Sequence, residues 1–498
     1  MSRQVVSIEK REEIQKRISK SALTQDDLDL YALLLEYGLD SKDLLRRKLR
    51  SEQRKTRARQ PREKDGDQEP KGHGRIGEEK YTGARDETVP LNKYRPGDRC
   101  PCCGRGNLYI FEVKKLLTLM ARSPVDAVRY LLTQLRCNSC GELFEEPPPE
   151  AKWGKHHPSA IAAVTLLRYG LGVPGKRLET WQGHFGIPLP DATQWDMIKK
   201  IGSSTVPIFK ILENWLAQCH ALSTDDTSLK VLELLQEFQT RKKGDRYGCH
   251  ATCIHGVHNE RPIILYYVGR KHAGENMGEL LALRSPDSDP PLQIGDASAN
   301  NTKHDHEVIP VYCNAHSFLK FQNACHAYPE IVDYILSLYG AVFSHDRSTR
   351  DMDDMQRLVY HQKHSRPLMD NLYRYFHILF EEHVVEPNSP LGEAITYMLK
   401  RWDGFTRFLE IPGVPLDNNS TERNLKGAIR YRKNSGFFKT IDSARLGAIT
   451  MSILATITAN GVNPMDYLSA IQIHESDVQN VPHLWLPWNY RERLQDVA

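Results

Sequence analysis

The amino-acid sequence predicts an α/β core that carries a helical insertion and follows a helical leader and a cysteine-rich ribbon. Three observations lead to this fold class. Short apolar runs that end near carboxylates lie between residues 222 and 296, a long and mostly helical stretch covers 317–409, and two CxxC pairs precede both. Short apolar runs with β-branched and aromatic residues are typical of buried strands, whereas longer amphipathic stretches are typical of helices.

The composition fits a globular protein with several domains. The chain has 498 residues, of which 40% are hydrophobic, 26% charged and 8% aromatic. A prior of roughly 150 residues per domain predicts about three domains, and this balance excludes collagen-like or wholly disordered proteins. The sequence shows no signal peptide and no run of roughly 18 apolar residues, so we expect a cytoplasmic protein without a membrane partner.

Residues 1–58 are predicted to form a helical, basic leader that binds DNA or supports self-association. Between residues 42 and 62 the chain has ten Lys or Arg residues and two acids, although its formal net charge is only +4. Such a run either forms a solvated tether or neutralises DNA phosphates. The leader residues expected to contact DNA are Arg46, Arg47, Lys48 and Arg50. Residues 59–95, where Gly, Pro and charged residues replace apolar ones, are predicted to be a linker.

Residues 96–148 are predicted to form a zinc ribbon. Cys100 and Cys103 make one CxxC pair, Cys137 and Cys140 make the other, and a glycine follows each pair. Four thiolates complete a tetrahedral Zn²⁺ shell without an open position, so this zinc would be structural. Cys102 competes with Cys103 as a ligand, although the CxxC spacing favours Cys103.

Two further segments have structural interpretations. Residues 149–215 are predicted to be a helical connector that either supports the core or contacts DNA, and support is favoured. A second Cys/His cluster at 249–258 falls on a predicted strand hairpin. Since alternate residues of a strand point to opposite faces, we interpret this cluster as ordinary packing.

Three acidic positions characterise the predicted catalytic domain, residues 216–470. Asp225 and Asp226 lie on a short strand, Asp296 ends a later strand, and Glu422 lies near the start of a helix after the insertion. Taken singly, each acid has an alternative role in a turn or a helix cap. Taken together, their order along the chain is the order used by ribonuclease H-like phosphoryl-transfer folds.

The sequence resembles the DDE transposases of the insertion-sequence sixty-six (IS66) family. The resemblance covers about residues 40–470 and departs from the family in two places. Ala297-Ser298 replaces the usual Gly-Tyr after Asp296, and Ser317-Phe318 replaces a pair of arginines after His316. The matching segments include Lys48-Leu-Arg-Ser-Glu52, Gly72-His-Gly-Arg75, Cys100-Pro-Cys-Cys-Gly, Asp225-Asp-Thr, Cys313-Asn-Ala-His316, Asp417-Asn-Asn-Ser-Thr-Glu-Arg423 and Gly461-Val-Asn-Pro-Met-Asp-Tyr-Leu468.

The resemblance implies a ribonuclease H-like core that cleaves insertion-sequence ends and joins the 3′-hydroxyl to target DNA by two-metal phosphoryl transfer. Asp225, Asp296 and Glu422 would hold Mg²⁺ or Mn²⁺, because these hard ions prefer carboxylate oxygens. Asp225 is preferred over Asp226 because it matches the family's Asp. Two alternatives stay open: a catalytically inactive, transposase-derived DNA-binding protein, and a nuclease of the same fold that cuts without joining.

The implied partners are the element's terminal repeats, target DNA, further copies of the chain on DNA, and accessory proteins of the same element. A bacterial, nucleoid-associated location follows from these partners.

Cys313 and His316 are interpreted as structural, with metal binding as the alternative. Residues 471–498 are interpreted as a C-terminal tail. Four basic residues near the acids either contact DNA phosphates or form a solvated helix face. They are Lys426, Arg430, Arg432 and Lys433.

Overall fold

The computed structural model describes residues 93–102, 105, 107–108, 110, 123–136, 143–144, 146–147, 151–236, 248–298, 301 and 304–497. The chain divides into two compact units, one formed by Arg50–Ser123 and the other by Met1–Leu49 with Pro124–Ala498. The basic leader and most of the zinc-ribbon ligands lie outside the described residues and stay predictions. The predicted site residues that lie outside the described residues are Arg46, Arg47, Lys48, Arg50, Cys103, Cys137 and Cys140.

Short antiparallel pairings flank the two CxxC segments. In the first unit, Arg99 and Asn107 form an isolated bridge on either side of the first CxxC pair. In the second unit, β1 (Leu135–Arg136) pairs with β2 (Leu143–Phe144) across the segment that contains the second CxxC pair. Among the described residues, Cys100 is the one predicted zinc ligand, and it is partly exposed.

Three helices precede the central sheet. They are α1 (Pro158–Thr165), which continues into a π-helical turn at Leu166–Gly170, α2 (Gly175–His184) and α3 (Asp191–Ala217). α1 begins with a proline, whose fixed φ suits the first helical turn and whose missing N–H is not needed there. The buried face of α3 belongs to the same hydrophobic core as the sheet, so the predicted connector supports that core.

The described residues form a five-stranded mixed sheet in the order β5-β4-β3-β6-β7. β3, β4 and β5 form an antiparallel meander, whereas β6 and β7 run parallel to β3. Asn259 and Glu260 connect β4 to β5 with positive φ angles of 48° and 62°, the conformation that a two-residue hairpin requires. The strands are β3 (Ala221–Ser228), β4 (His250–His258), β5 (Arg261–Gly269), β6 (Leu292–Gly295) and β7 (Ile309–Tyr312).

Helices account for most of the remaining described chain, and residues 314–409 are mostly helical, as the sequence predicts. None of the described helices has the length and apolar character needed to cross a bilayer. The helices are α4 (Leu232–Gln236), α5 (Ala273–Leu281), α6 (Asn314–Asn323), α7 (Pro329–Ser348), α8 (Asp354–His364), α9 (Arg366–Glu381), α10 (Pro390–Leu399), α11 (Trp402–Thr406), α12 (Asn419–Ser435), α13 (Ile441–Ala459), α14 (Pro464–Ile473), α15 (Glu475–Asn480) and α16 (Tyr490–Val497).

The two faces of the sheet have different coverings. Asp225, Cys253 and Tyr266 are register partners and share one face, where the Tyr266 hydroxyl donates a 2.6 Å hydrogen bond to the backbone carbonyl oxygen of Asn424 in α12. The next residues along each strand point to the opposite face, which packs against α3 and α5. The helix that carries Glu422 therefore covers the face on which Asp225 lies.

Helix α13 protects the sheet edge formed by β5. An edge strand presents unpaired backbone groups that would otherwise recruit another strand. The hydroxyl of Ser452 accepts a 2.7 Å hydrogen bond from the backbone N–H of Tyr266, and the hydroxyl of Thr456 accepts one of 3.0 Å from that of Ile264. The hydroxyl groups of α13 thus accept backbone hydrogen bonds that a further strand would otherwise accept.

Two hydrophobic cores stabilise the second unit. One joins α1, α3, β3, β4 and β5 to the C-terminal helices, and the other joins β6 and β7 to the helical insertion. Residues 471–498, interpreted from sequence as a tail, contain α15 and α16 and bury Trp485 in the first core. The Trp485 indole N–H donates a 2.8 Å hydrogen bond to Asp477, and its carbonyl oxygen accepts one of 2.6 Å from Tyr467.

Candidate active site

Parallel pairing brings the first two predicted acids to neighbouring strand positions. Asp225 lies on β3, and Asp296 directly follows β6. The register between these strands, continued by two residues, brings Asp225 level with Asp296. Gly295 permits this close approach, because a Cβ atom there would lie only 3.3 Å from the backbone carbonyl oxygen of Thr224.

The start of α12 is attached to the same strand. The side-chain amide of Asn418 donates a 3.0 Å hydrogen bond to the carbonyl oxygen of Thr224. The backbone N–H of Asn418 donates another, of 3.2 Å, to the sulfur of Cys313, directly after β7. These two bonds fix the helix end relative to β3 and β7, and Glu422 lies in the first turn of that helix.

The pKa of Asp225 responds to the two other predicted acids. Burial, together with the nearby carboxylates of Asp296 and Glu422, raises the pKa of Asp225 to about 6. A 2.8 Å hydrogen bond from the backbone N–H of Asp226 and the proximity of His316 act in the opposite direction. Asp296 and Glu422 therefore both lie close enough to Asp225 to disfavour its ionised form.

Asp296 also stabilises the loop that follows β6. Its Oδ1 accepts a 3.2 Å hydrogen bond from the backbone N–H of Ser298 and another from the side-chain amide of Asn301. Asp296 therefore has the turn role that the sequence suggests and also lies beside Asp225. Tyr397 of α10 lies near this loop. Burial, with a smaller contribution from Asp296, raises the pKa of Tyr397 to about 12 against the opposing effect of a backbone hydrogen bond at Ala297.

The Cys-x-x-His segment lies beside the third acid. Nδ1 of His316 is 3.7 Å from Oε1 of Glu422, and a ring nitrogen, the Cys313 sulfur and a Glu422 oxygen lie within 4.8 Å of one another. Burial raises the pKa of the Cys313 thiol to about 11, although the N–H of Asn418 opposes this shift. A thiol with this pKa is protonated near neutral pH, so Cys313 acts here as a hydrogen-bond acceptor for the helix start.

The residues that replace the family's two arginines belong to the insertion core. Ser317 is fully buried and accepts a 3.0 Å hydrogen bond from the Tyr339 hydroxyl. Phe318 contacts Tyr339 and Phe343 edge-to-face. Both positions therefore contribute to packing on the insertion side of β7.

The four basic residues predicted on α12 divide into two groups. Lys426 and Lys433 are exposed. Arg432 instead donates hydrogen bonds to the end of β3, including one of 2.8 Å to the carbonyl oxygen of Ser228, and Arg430 donates one of 3.2 Å to that of Gly170. The two arginines thus have intramolecular partners, whereas the two lysines extend from the helix surface.

The donor set fits a hard divalent cation. Asp225, Asp296 and Glu422 supply carboxylate oxygens, which suit Mg²⁺ and Mn²⁺ better than soft metals. Asp296 and Glu422 both contribute to the raised pKa of Asp225, so the three carboxylates belong to one neighbourhood. The sequence predicts these three acids but not the contacts of Asn418 and Tyr397, which come from distant parts of the chain.

Comparison with known proteins gives a consistent result. The model of the Transposase IS66 family matches residues 154–446, more than half of the chain, and this range contains all three acids. Two similar proteins of Sinorhizobium fredii (strain NBRC 101917 / NGR234) cover most of the chain. Uncharacterized protein y4hP is 23% identical over 427 residues, which are 80% of this chain and 74% of y4hP. Uncharacterized protein y4jD is 27% identical over 409 residues, which are 79% of this chain and 78% of y4jD.

Proposed function

The chain belongs to the IS66 transposase family, and from this premise we propose that it cleaves the ends of an insertion sequence and joins the freed 3′-hydroxyl to target DNA. The β3–β6 register that brings Asp225 level with Asp296 is the observation that carries this proposal, and the effect of Asp296 and Glu422 on the pKa of Asp225 supports it. Carboxylates that disfavour the ionised form of a half-buried neighbour are typical of catalytic sites, which supports the proposal.

We further propose that the catalytic core is ribonuclease H-like. The antiparallel meander β3-β4-β5, extended by the parallel strands β6 and β7, supports this assignment. Acids on β3, directly after β6 and on α12 follow the order predicted from the sequence. The helical insertion of residues 314–409 separates β7 from the helix that carries Glu422.

The three carboxylates are proposed to hold Mg²⁺ or Mn²⁺. When bound, such ions activate the attacking water or 3′-hydroxyl and neutralise charge on the leaving oxygen. The protein's own contribution is to bring the three carboxylates together. Asn418 anchors the helix of Glu422 to β3, and His316, 3.7 Å from Glu422, helps to orient that carboxylate.

DNA contacts are proposed at exposed basic positions. Lys426 and Lys433 lie on the same helix as Glu422, so phosphates bound by these lysines would lie close to the acids. The basic leader and the zinc ribbon would bind the element's terminal repeats. A multimer that bridges two DNA ends, and accessory proteins of the same element, are further partners that we propose on the basis of family membership.

The test is metal-dependent cleavage and joining of DNA that carries the element's ends, with the accessory proteins supplied. Glu422→Gln keeps the side-chain shape and removes the charge, so it should abolish both products while DNA binding persists. Glu393→Gln is the matched control, since Glu393 is an exposed glutamate in the first turn of α10. This control should react like the wild type.

Each rival function predicts a different result in the same assay. Cleavage without joined products would identify a nuclease of the same fold. DNA binding without cleavage in the wild type would identify a catalytically inactive DNA-binding protein. Equal activity of wild type and Glu422→Gln would remove Glu422 from the proposed site.

A further inference from the structure

A second group of metal-ligating side chains lies on the other face of the central sheet. It consists of Asp226 on β3, His250 on β4 and His272, which directly precedes α5. Asp226 and Asp225 are consecutive strand residues and therefore point to opposite faces. The group is thus separate from the three carboxylates proposed to be catalytic.

The three side chains are close enough to share one ion. Nδ1 of His272 lies 3.3 Å from Oδ2 of Asp226, and the rings of His250 and His272 have centroids 4.1 Å apart. One ligand atom from each residue lies within 4.8 Å of the others. The backbone N–H of Ala273 donates a 3.3 Å hydrogen bond to the same Asp226 oxygen, which fixes that carboxylate against the start of α5.

We propose that Asp226, His250 and His272 bind a divalent first-row transition-metal ion, with Zn²⁺ as the reference case. Two imidazoles and one carboxylate are a ligand set that suits Zn²⁺, Co²⁺ or Ni²⁺ and differs from the all-carboxylate set around Asp225. The side chains of His272 and Asp226 retain 33% and 24% of their exposure. An ion can therefore reach the site and keep positions open for water.

The close approach of the two imidazoles supports this assignment over a simple His–Asp ion pair. An ion pair requires only His272 and Asp226, whereas the ring of His250 also lies against that of His272. Neutral imidazole is the commonest metal ligand in proteins, and a shared ion accounts for the position of both rings. Gly248 leaves room for the His250 ring, because a Cβ atom at that position would collide with Nε2.

The proposed ion would lie close to the catalytic strand. The backbone N–H of Asp226 donates its 2.8 Å hydrogen bond to the side chain of Asp225. An ion held by Asp226 would therefore fix β3 next to the first catalytic acid and link β3, β4 and the start of α5. Because the ion binds the folded state, zinc should raise the unfolding temperature.

The test measures zinc per chain and the zinc-dependent rise in unfolding temperature of the full-length protein. His250→Ala and His272→Ala should each lose one zinc ion per chain and most of the temperature rise. His220→Ala is the matched control, because His220 is an exposed histidine next to β3 outside the group. Zinc at the ribbon cysteines is common to all these proteins and cancels in the comparison.

A further control distinguishes this site from the proposed catalytic centre. Glu393→Gln, which lies outside both groups of ligands, should keep the full zinc content and the full temperature rise, and excess Mg²⁺ in every sample occupies the proposed carboxylate centre. If His250→Ala fails to fold, His272→Gln at the partly exposed start of α5 decides the question. Unchanged zinc content and unchanged temperature rise in the folded histidine variants would overturn the proposal, whatever the outcome of the cleavage assay.

Discussion

The side-chain amide of Asn418 donates a 3.0 Å hydrogen bond to the backbone carbonyl oxygen of Thr224, a residue 194 positions earlier in the chain. Asn418 is buried and lies at the start of the helix that carries Glu422, whereas Thr224 directly precedes Asp225. This one bond therefore joins the chain segments that supply two of the proposed catalytic acids.

Replacing Asn418 with alanine should reduce catalysis more than its stability cost explains. Loss of a buried hydrogen bond costs about 1–3 kcal/mol, and the released helix start would move Glu422 relative to Asp225. Asn418→Asp should be more damaging, because a carboxylate would face the carbonyl oxygen of Thr224. Urea unfolding and single-turnover cleavage measure the two effects separately.

Asn460→Ala is the matched control for this prediction. Its side-chain amide donates a 2.9 Å hydrogen bond to the carbonyl oxygen of Pro262, at the end of α13 rather than at the acids. A similar stability loss with normal cleavage is expected. Equal catalytic defects in the Asn418 and Asn460 variants would show that Asn418 has only a general structural role.

Asp225→Asn should stabilise the metal-free protein. The pKa of Asp225 rises from 3.8 to about 6 on folding, so the folded state disfavours the ionised form. The stability associated with the protonated group is present below pH 3.8 and is lost as pH rises through about 6. At about pH 8 the variant should gain up to roughly 3 kcal/mol in unfolding free energy.

Urea unfolding in the presence of a chelator checks this prediction at several pH values. The gain should shrink toward zero as the pH falls below 3.8, where the wild-type carboxyl becomes protonated in both states. Asp226→Asn provides the comparison, since Asp226 accepts hydrogen bonds from the start of α5 and should show no such gain. A destabilised Asp225→Asn at high pH would contradict the proposed repulsion among the acids.

The sequence supports a hypothesis about which residues carry the chemistry, but it does not predict the contacts that hold them in place. Asp225, Asp296 and Glu422 follow from the acids' order and from local patterns that need no knowledge of tertiary contacts. Asn418 lies in a motif recognised from the sequence, but its partner Thr224 is separated from it by the whole insertion. Such pairings depend on sheet order and helix placement, which local periodicity does not determine.

Local periodicity also fails to predict the group formed by Asp226, His250 and His272. The spacing of His250 and its neighbours on β4 indicates strand packing, and nothing in that spacing indicates a residue from outside the hairpin. His272 joins the group only because the start of α5 packs against β3 and β4. Residues 471–498 show the converse case, where a segment with few periodic features still packs into the first core through Ile471, Val478, Trp485, Leu486 and Tyr490.

Lys426→Ala should weaken DNA binding and its salt dependence together. Lys426 is exposed on the helix of Glu422, and removing one lysine–phosphate interaction reduces the steepness of log affinity against log salt by roughly 0.9. Unfolding stability should be unchanged, within about 0.5 kcal/mol, because the side chain is at the surface. Fluorescence anisotropy at several salt concentrations measures the slope.

Arg432→Ala is the informative comparison for Lys426. The guanidinium of Arg432 donates hydrogen bonds to Thr227 and Ser228 at the end of β3, so its removal should lower stability and leave most of the salt slope intact. The opposite pattern, with Arg432 controlling the slope and Lys426 controlling stability, would refute this division of roles.

The helical insertion should lose stability in mild acid through His345. Burial, together with the nearby His364 and His361, lowers the pKa of His345 to about 4, and its Nδ1 lies 3.2 Å from the Ser365 hydroxyl. The folded state therefore favours the neutral ring. Its contribution to stability is complete above pH 6.5 and is lost as pH falls toward about 4.

His345→Gln removes this titration and keeps a polar group opposite Ser365. Between about pH 7 and about pH 4.5, the wild type should lose on the order of 1–2 kcal/mol more unfolding free energy than the variant, a value reduced for partial exposure of the ring. His326→Gln, at an exposed histidine of the same insertion, should keep the wild-type pH profile. Urea midpoints measured across this range give the comparison, and identical profiles for wild type and His345→Gln would assign the acid sensitivity to other groups.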